Sequence, residues 1–230
     1  MLSAHGLNLF SVLGLDMLPE AFDAAVSNGG ITLEHFSRLI MIGHGGNLMW
    51  QRLREDGVSG RDPVDEYSER CATRLVKEYL DDCAFRILYP GDIPIPLQQL
   101  GSIAGWHHAS PLGIGVNEIY GPWFGYRVVL LVAANIPVSM HAAGPSPCTH
   151  CTDKPCVGAC PGRALAVSRS PDVARCVDYR VRDRSPCASS CLARLACPAG
   201  VAHRYGDEQL HYYYGRSLDS IKAHLSHQGA

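Results

Sequence analysis

At 230 residues the chain is long enough to bury a real core in one or two domains. With 47% hydrophobic and 18% charged residues it reads as ordinary globular protein rather than disordered chain. A net charge of -2 speaks against a nucleic-acid binder, and no apolar run reaches the ~18 residues that a membrane span needs. The N-terminus has an apolar stretch but neither a basic flank nor a twin arginine, which leads us to expect a mature cytoplasmic protein.

The run 38–44 (RLIMIGH) predicts a buried strand that turns at Gly45-Gly46 into a helix through Trp50 and Leu53. Gly43-His44-Gly45-Gly46 offers bare backbone to a cofactor but lacks the Lys-Ser/Thr of a phosphate loop, and a simple turn explains it equally well. Pro63 suits the first turn of a long helix with Val64, Tyr67, Cys71, Leu75 and Tyr79 on one stripe. A strand is expected at 83–89, ended by Pro90-Gly91, then a short helix in 95–105 and a central strand at 126–136. Leu210, Tyr214, Leu218, Ile221 and Leu225 recur at helical spacing and predict a docked C-terminal helix. Helices and strands thus flank a segment of different composition, rich in Cys, Pro and Arg. The expected organisation is one α+β domain (1–144 plus 201–230) carrying an inserted module at 145–200. That module carries eight Lys/Arg against four Asp, a charge of +4, which leaves -6 on the rest. The excess either offsets negative charge held by thiolates or forms a docking face for an acidic electron donor.

Eight of the ten cysteines fall within residues 148–197. A disulfide framework belongs to small secreted domains without a core, so metal is the better reading. Zinc favours paired C-x2-C elements, and only Cys148 and Cys151 form one. Cys71 and Cys83 sit in helix and strand patterns and read as buried small apolar residues. Cys148-x2-Cys151-x4-Cys156-x3-Cys160-Pro161 resembles the cysteine run of bacterial ferredoxins, in which closely spaced thiolates hold one cluster and the Cys before Pro serves the other. Cys176-x10-Cys187-x3-Cys191-x5-Cys197-Pro198 is a degenerate partner. The resemblance implies two [4Fe–4S] clusters, one on Cys148, Cys151, Cys156 and Cys197, the other on Cys176, Cys187, Cys191 and Cys160.

Residues 105–137 gather two His, two Trp, two Tyr and a Phe around the turn Tyr120-Gly121-Pro122-Trp123. Aromatics at such a turn can wall a planar cofactor or simply pack a core. The stretch LGIGVNEIYGPWFGYRVVLL (112–131) resembles a segment of the methylmalonic aciduria and homocystinuria type C cobalamin-processing family, and HRYGDEQLHYYYGRSL (203–218) resembles a downstream block of it. Related corrinoid folds joined to two clusters occur in epoxyqueuosine reductases and reductive dehalogenases. The resemblance implies a nitroreductase-like mixed sheet with flanking helices, α+β in class, holding cobalamin and fed by a low-potential donor such as flavodoxin, ferredoxin or a reductase. By position, Tyr120, Gly121, Trp123, Phe124 and Arg127 match the first block, and Arg204, Tyr205, Glu208 and Gln209 match the second. Where the family has His-Pro, this chain has Asn117-Glu118, so Trp106, His107, His108 and Asn117 join the candidate cofactor contacts. Two adjacent His can equally be polar rim residues, and Arg127 an internal ion pair. Tyr120 is the candidate proton donor; Tyr212-Tyr213-Tyr214 could serve too or could pack a helix. The implied activity is electron relay to cobalamin, for its reduction, removal of its upper ligand or reduction of a further substrate. A non-catalytic ferredoxin-type carrier and a flavin mononucleotide enzyme are the alternatives.

Overall fold

Four apolar runs form the sheet of the computed structural model, which describes residues 1–140 and 144–228. They are β1 (Leu9–Gly14), β2 (Arg38–Gly45), β3 (Phe85–Tyr89) and β4 (Phe124–Val132), in the order β1-β2-β4-β3. Every pairing is antiparallel. The mixed sheet implied by the resemblance is thus corrected to an antiparallel one among the described residues. The reason is topological: β2 and β3 run the same way, but β4 lies between them and separates the two like-directed strands.

Four helices precede β4: α1 (Glu20–Asn28), α2 (Leu48–Asp56), α3 (Pro63–Tyr79) and α4 (Leu97–Ile103). Successive strand residues face opposite ways, so a strand covered on both sides must be apolar throughout. Leu39, Met41, Val129 and Leu131 pack with Phe22 and Val26 of α1, Leu100 of α4 and Trp106. The intervening Ile40, Ile42, Val128 and Leu130 are also fully buried, and α3 packs on β4. This double burial is why 38–44 and 126–132 read as continuous apolar runs. In α3, Pro63 occupies the first turn as expected, but the buried stripe runs through Val64, Tyr67, Cys71, Ala72 and Val76, leaving Tyr79 exposed. Cys71 is a core residue whose thiol burial pushes up, and Cys83 is half-buried just before β3.

The Cys-rich part adds α5 (Pro155–Gly158), α6 (Val173–Arg180), α7 (Leu192–Leu195) and α8 (Asp207–Gln228). Two compact units result, Met1–His107 with Phe124–Gly144, and His108–Trp123 with Pro145–Ala230. This division differs from the expected 1–144 plus 201–230 around 145–200; those ranges also include 141–143 and 229–230, which lie outside the described residues. Residues 108–123 and α8 join the Cys-rich segment because Trp123, Tyr205 and Leu210 form a small core of their own, flanked by Leu195, Tyr213 and Tyr214. Among the described residues, no helix is long and apolar enough to cross a membrane.

Tyr67 gives the sheet unit a pH signature. It is 2% exposed, and its hydroxyl donates to the His5 carbonyl at 3.0 Å. Burial, reinforced by Cys71 and Asp56, holds the phenol above its ordinary range. Above pH ~10 the unfolded chain gives up this proton while the folded one keeps it, so stability falls with rising pH, by up to about 1.4 kcal/mol per unit. Denaturant midpoints measured from pH 8 to 11 are expected to fall more steeply for the wild type than for Tyr67→Phe; parallel curves would refute this.

Candidate functional site

The first cysteine loop is closed by its own backbone. The Cys148 N–H donates to Ser146 Oγ at 3.3 Å. Lys154 adopts a left-handed conformation (φ 41°) immediately before α5 and turns its ammonium back onto the Cys148 and Cys151 carbonyls, the latter at 2.6 Å. Pro155 then opens α5, which carries Cys156 inward and packs against α7. Burial pushes the Cys156 and Cys197 thiols up, and the neighbouring thiols that add to the rise are Cys197, Cys148 and Cys151 for the first and Cys148 and Cys151 for the second. Four thiols separated by up to 49 positions of chain, 148 to 197, therefore form one electrostatic set.

The remaining four line a cavity of about 190 Å³: Cys160, Cys176, Cys187 and Cys191, with Arg180 and Arg194 beside them. Asp172 caps α6 by accepting from the Arg175 N–H at 3.0 Å, and α6 then presents Cys176 and Arg180 one turn apart. The Ala164 N–H approaches Cys160 Sγ at 3.4 Å. Burial pushes the Cys176 and Cys187 thiols up, and the Arg180 charge opposes that rise in both. Among the described residues no three His, Cys, Asp or Glu converge as the ligands of one metal ion would. The second set rings a space rather than a point.

The candidate cofactor residues divide between the two units. In the second unit, Asn117 is 5% exposed and its Oδ1 accepts from the Ile119 and Tyr120 N–H groups, both at 3.0 Å. Its amide oxygen holds the aromatic turn. Trp123 is fully buried and packs edge-on against Tyr205 at 5.5 Å, so it serves as core and presents no open ring face. Tyr120 is half-buried, with His203 4.8 Å away between ring centres. His108 pairs by backbone with Val116, and its Nε2 is buried without a hydrogen-bond partner among the described residues. In the sheet unit, Trp106 is buried and stacks on Tyr126 at 6.3 Å. His107 Nδ1 lies 3.1 Å from the Tyr126 hydroxyl, a phenol that burial holds well above its ordinary range. Phe124 meets the Tyr126 ring edge-on, and Arg127 Nε donates to the fully buried His44 Nδ1 at 2.9 Å. Sequence reasoning missed Tyr126, Arg180 and Arg194 as site residues. Tyr126 was absorbed into a strand, and the arginines into a net charge; only the one-turn spacing of Arg180 from Cys176 could have singled out either arginine.

No family model matches the sequence, and no curated protein matches it. Solved structures do share the fold. Epoxyqueuosine reductase from Streptococcus thermophilus superposes with a TM-score of 0.52 at 12% identity, over 87% of this chain and 64% of that one. The Bacillus subtilis enzyme, in a form whose catalytic loop is swung out of the active site, gives 0.57 at 11% identity, over 89% and 64%. A complex of epoxyqueuosine reductase with a modified tRNA-Tyr stem loop gives 0.57 at 11% identity, over 91% and 66%. The chain thus spans just under two thirds of the length of these structures, 64–66%.

The turn itself is open to test. Gly121 has φ +57°, and a Cβ there would lie 2.1 Å from the Ala199 carbonyl oxygen. Gly121→Ala adds left-handed strain of about 1–2 kcal/mol to a backbone collision, whereas Gly158 has nothing within 4 Å of a Cβ. Thermal melting should drop by several degrees for Gly121→Ala and hardly move for Gly158→Ala; equal melting would show that the turn is not fixed.

Proposed function

We propose that this protein is a redox enzyme that holds two [4Fe–4S] clusters in its Cys-rich unit and delivers their electrons to a corrinoid. The carrying observation is the sorting of eight motif cysteines into two sets of four, Cys148/Cys151/Cys156/Cys197 and Cys160/Cys176/Cys187/Cys191. Each set takes the Cys-Pro member of the opposite motif, as the ferredoxin resemblance implies. Support for this reading at the second set comes from Cys160, Cys176, Cys187 and Cys191 lining one cavity, from the Ala164 N–H at 3.4 Å from Cys160 Sγ and from the buried Arg180 beside them. When bound, a cluster supplies one-electron storage at a potential set by charge, hydrogen bonding and exposure. The chain's part is to hold the thiols, keep water from their buried members and fix the charges around them.

The corrinoid half of the proposal is supported by the shared fold and by the motif resemblance. In the second unit Tyr120, Gly121 and His108 are its proposed contacts, His108 with a buried Nε2 that lacks a hydrogen-bond partner among the described residues. Trp123 and Asn117 support them from within that unit. Tyr120 is the proposed proton donor. The electron donor would be a small low-potential protein of flavodoxin or ferredoxin type, in the cytoplasm. A cluster-bearing carrier without corrinoid is the second reading, favoured by the commitment of Trp123 and Asn117 to packing rather than to an open wall. Flavin mononucleotide in place of the corrinoid is a further variant.

Anaerobic purification followed by iron and sulfide determination should find about eight irons per chain, and Cys151→Ser or Cys191→Ser should each remove about half or convert one cluster's spectrum. Iron unaffected by either substitution, or zinc in its place, would overturn the cluster reading. Titration of the iron-loaded protein with cobalamin should shift the corrinoid absorption. A spectral response to flavin alone selects the flavin variant, and no response to either selects the carrier.

A further inference from the structure

Arg180 is 9% exposed, and among the described residues no carboxylate faces it. Its guanidinium is held on three sides: Nε donates to the Cys187 carbonyl at 3.1 Å, and the two terminal nitrogens to Ser217 Oγ at 3.1 Å and the Tyr214 carbonyl at 3.0 Å. It also lies 5.3 Å from the centre of the Tyr214 ring. Arg194, on the wall of the same cavity, donates to the Pro122 carbonyl and lies over the Trp123 and Tyr205 rings at 4.7 and 4.9 Å. It too has no carboxylate partner among the described residues. A buried cation without an anion is costly, so Arg180 on the wall of this cavity, with the half-buried Arg194 beside it, favours negative charge inside it.

The first set has Lys154 and Arg204, which oppose the rise of the Cys148 and Cys197 thiols, but among the described residues no cation there is as buried as Arg180. Lys154 is half-buried and spends its ammonium on the Cys148 and Cys151 carbonyls, while Arg204 is exposed and donates to the Leu195 carbonyl at 2.7 Å. One backbone N–H to sulfur bond, from Ala164 to Cys160 Sγ at 3.4 Å, does not by itself set the second group apart. Charge does. Reduction adds one electron to a cluster, and a fixed cation in a poorly solvated site stabilises the added charge more than an exposed one does.

The geometry points to Arg180, assisted by Arg194, as the positioning residue that makes Cys160/Cys176/Cys187/Cys191 the higher-potential of the two cluster sites, where the first electron to enter the unit comes to rest. This rests on the cluster reading given above. The iron-loaded protein is titrated stepwise with dithionite, and each reduced cluster is followed by its electron paramagnetic resonance signal. The signal that appears first should vanish in Cys176→Ser and survive in Cys151→Ser. Arg180→Gln should lower the reduced-to-oxidised ratio of that same signal at fixed potential at least about tenfold, roughly 59 mV for one electron, and leave the later signal in place. Arg180→Lys, which keeps the charge, should restore most of the shift. If the first signal survives Cys176→Ser, or if Arg180→Gln moves both signals equally or neither, the inference is overturned. If Arg180→Gln does not assemble, the wild-type order with the two cysteine variants decides alone. Wild-type protein lacking iron would instead refute the cluster reading itself, a result plainly distinct from a wrong order of reduction.

Discussion

Gly121 and Gly200 approach one another so closely that neither has space for a Cβ: one at Gly200 would lie 2.2 Å from the Tyr120 carbonyl. Much of the second unit depends on that contact. It locks the aromatic turn onto the segment that follows Cys197-Pro198, and so fixes the chain on one side of a cysteine. From the same turn Pro122 offers its carbonyl to Arg194, which stands between Cys191 and Cys197. Trp123 then enters the small core beside Tyr205 and Leu210. The Tyr-Gly-Pro-Trp motif thereby acquires a mechanical role that its composition does not announce. It braces the cysteines from a part of the chain that precedes the first of them.

The strongly apolar elements were open to sequence reading because burial on both faces leaves an uninterrupted signature, as in β2 and β4. The helix from Pro63 was legible from its first-turn proline, although its stripe turned from Tyr79 toward Val76. β1 and α1 escaped because an edge strand with a buried serine at Ser11 and a nine-residue helix with one large aromatic carry little periodic signal. The periodicity of α8 disclosed a helix but not its partner: Leu210 is apolar whichever core it enters. The cysteines drew notice for a different reason, since their spacing in sequence bears directly on which thiols are proposed to share a centre. Aromatic residues have no such grammar. Nothing in the order of letters separates Trp123, sealed in a core, from Tyr120, which keeps part of its surface.

The positive excess of the Cys-rich segment resolves into two populations. Arg180 is turned inward, and Arg194 lies against the cysteine cavity. Arg175 pairs with Asp172 at the start of α6, and Arg184 stands at the surface beside Asp183. The same residue type thus occupies two surroundings: Arg180 and Arg194 beside the cysteine cavity, Arg175 and Arg184 paired toward solvent. A net charge cannot express that distinction, because it sums over positions whose dielectric surroundings differ severalfold.

The second unit is assembled from two separate stretches, 108–123 and the chain from 145 onward. β4, an interior strand of the other unit, is threaded between them in sequence. A cut at residue 144 would leave the cysteines without Trp123, without the carbonyl that receives Arg194 and without the loop that closes against Gly200. The two parts of this unit flank β4 in sequence, so during synthesis 108–123 emerges before the residues it packs with, and the small core around Trp123 can close only once Tyr205 and Leu210 have been made.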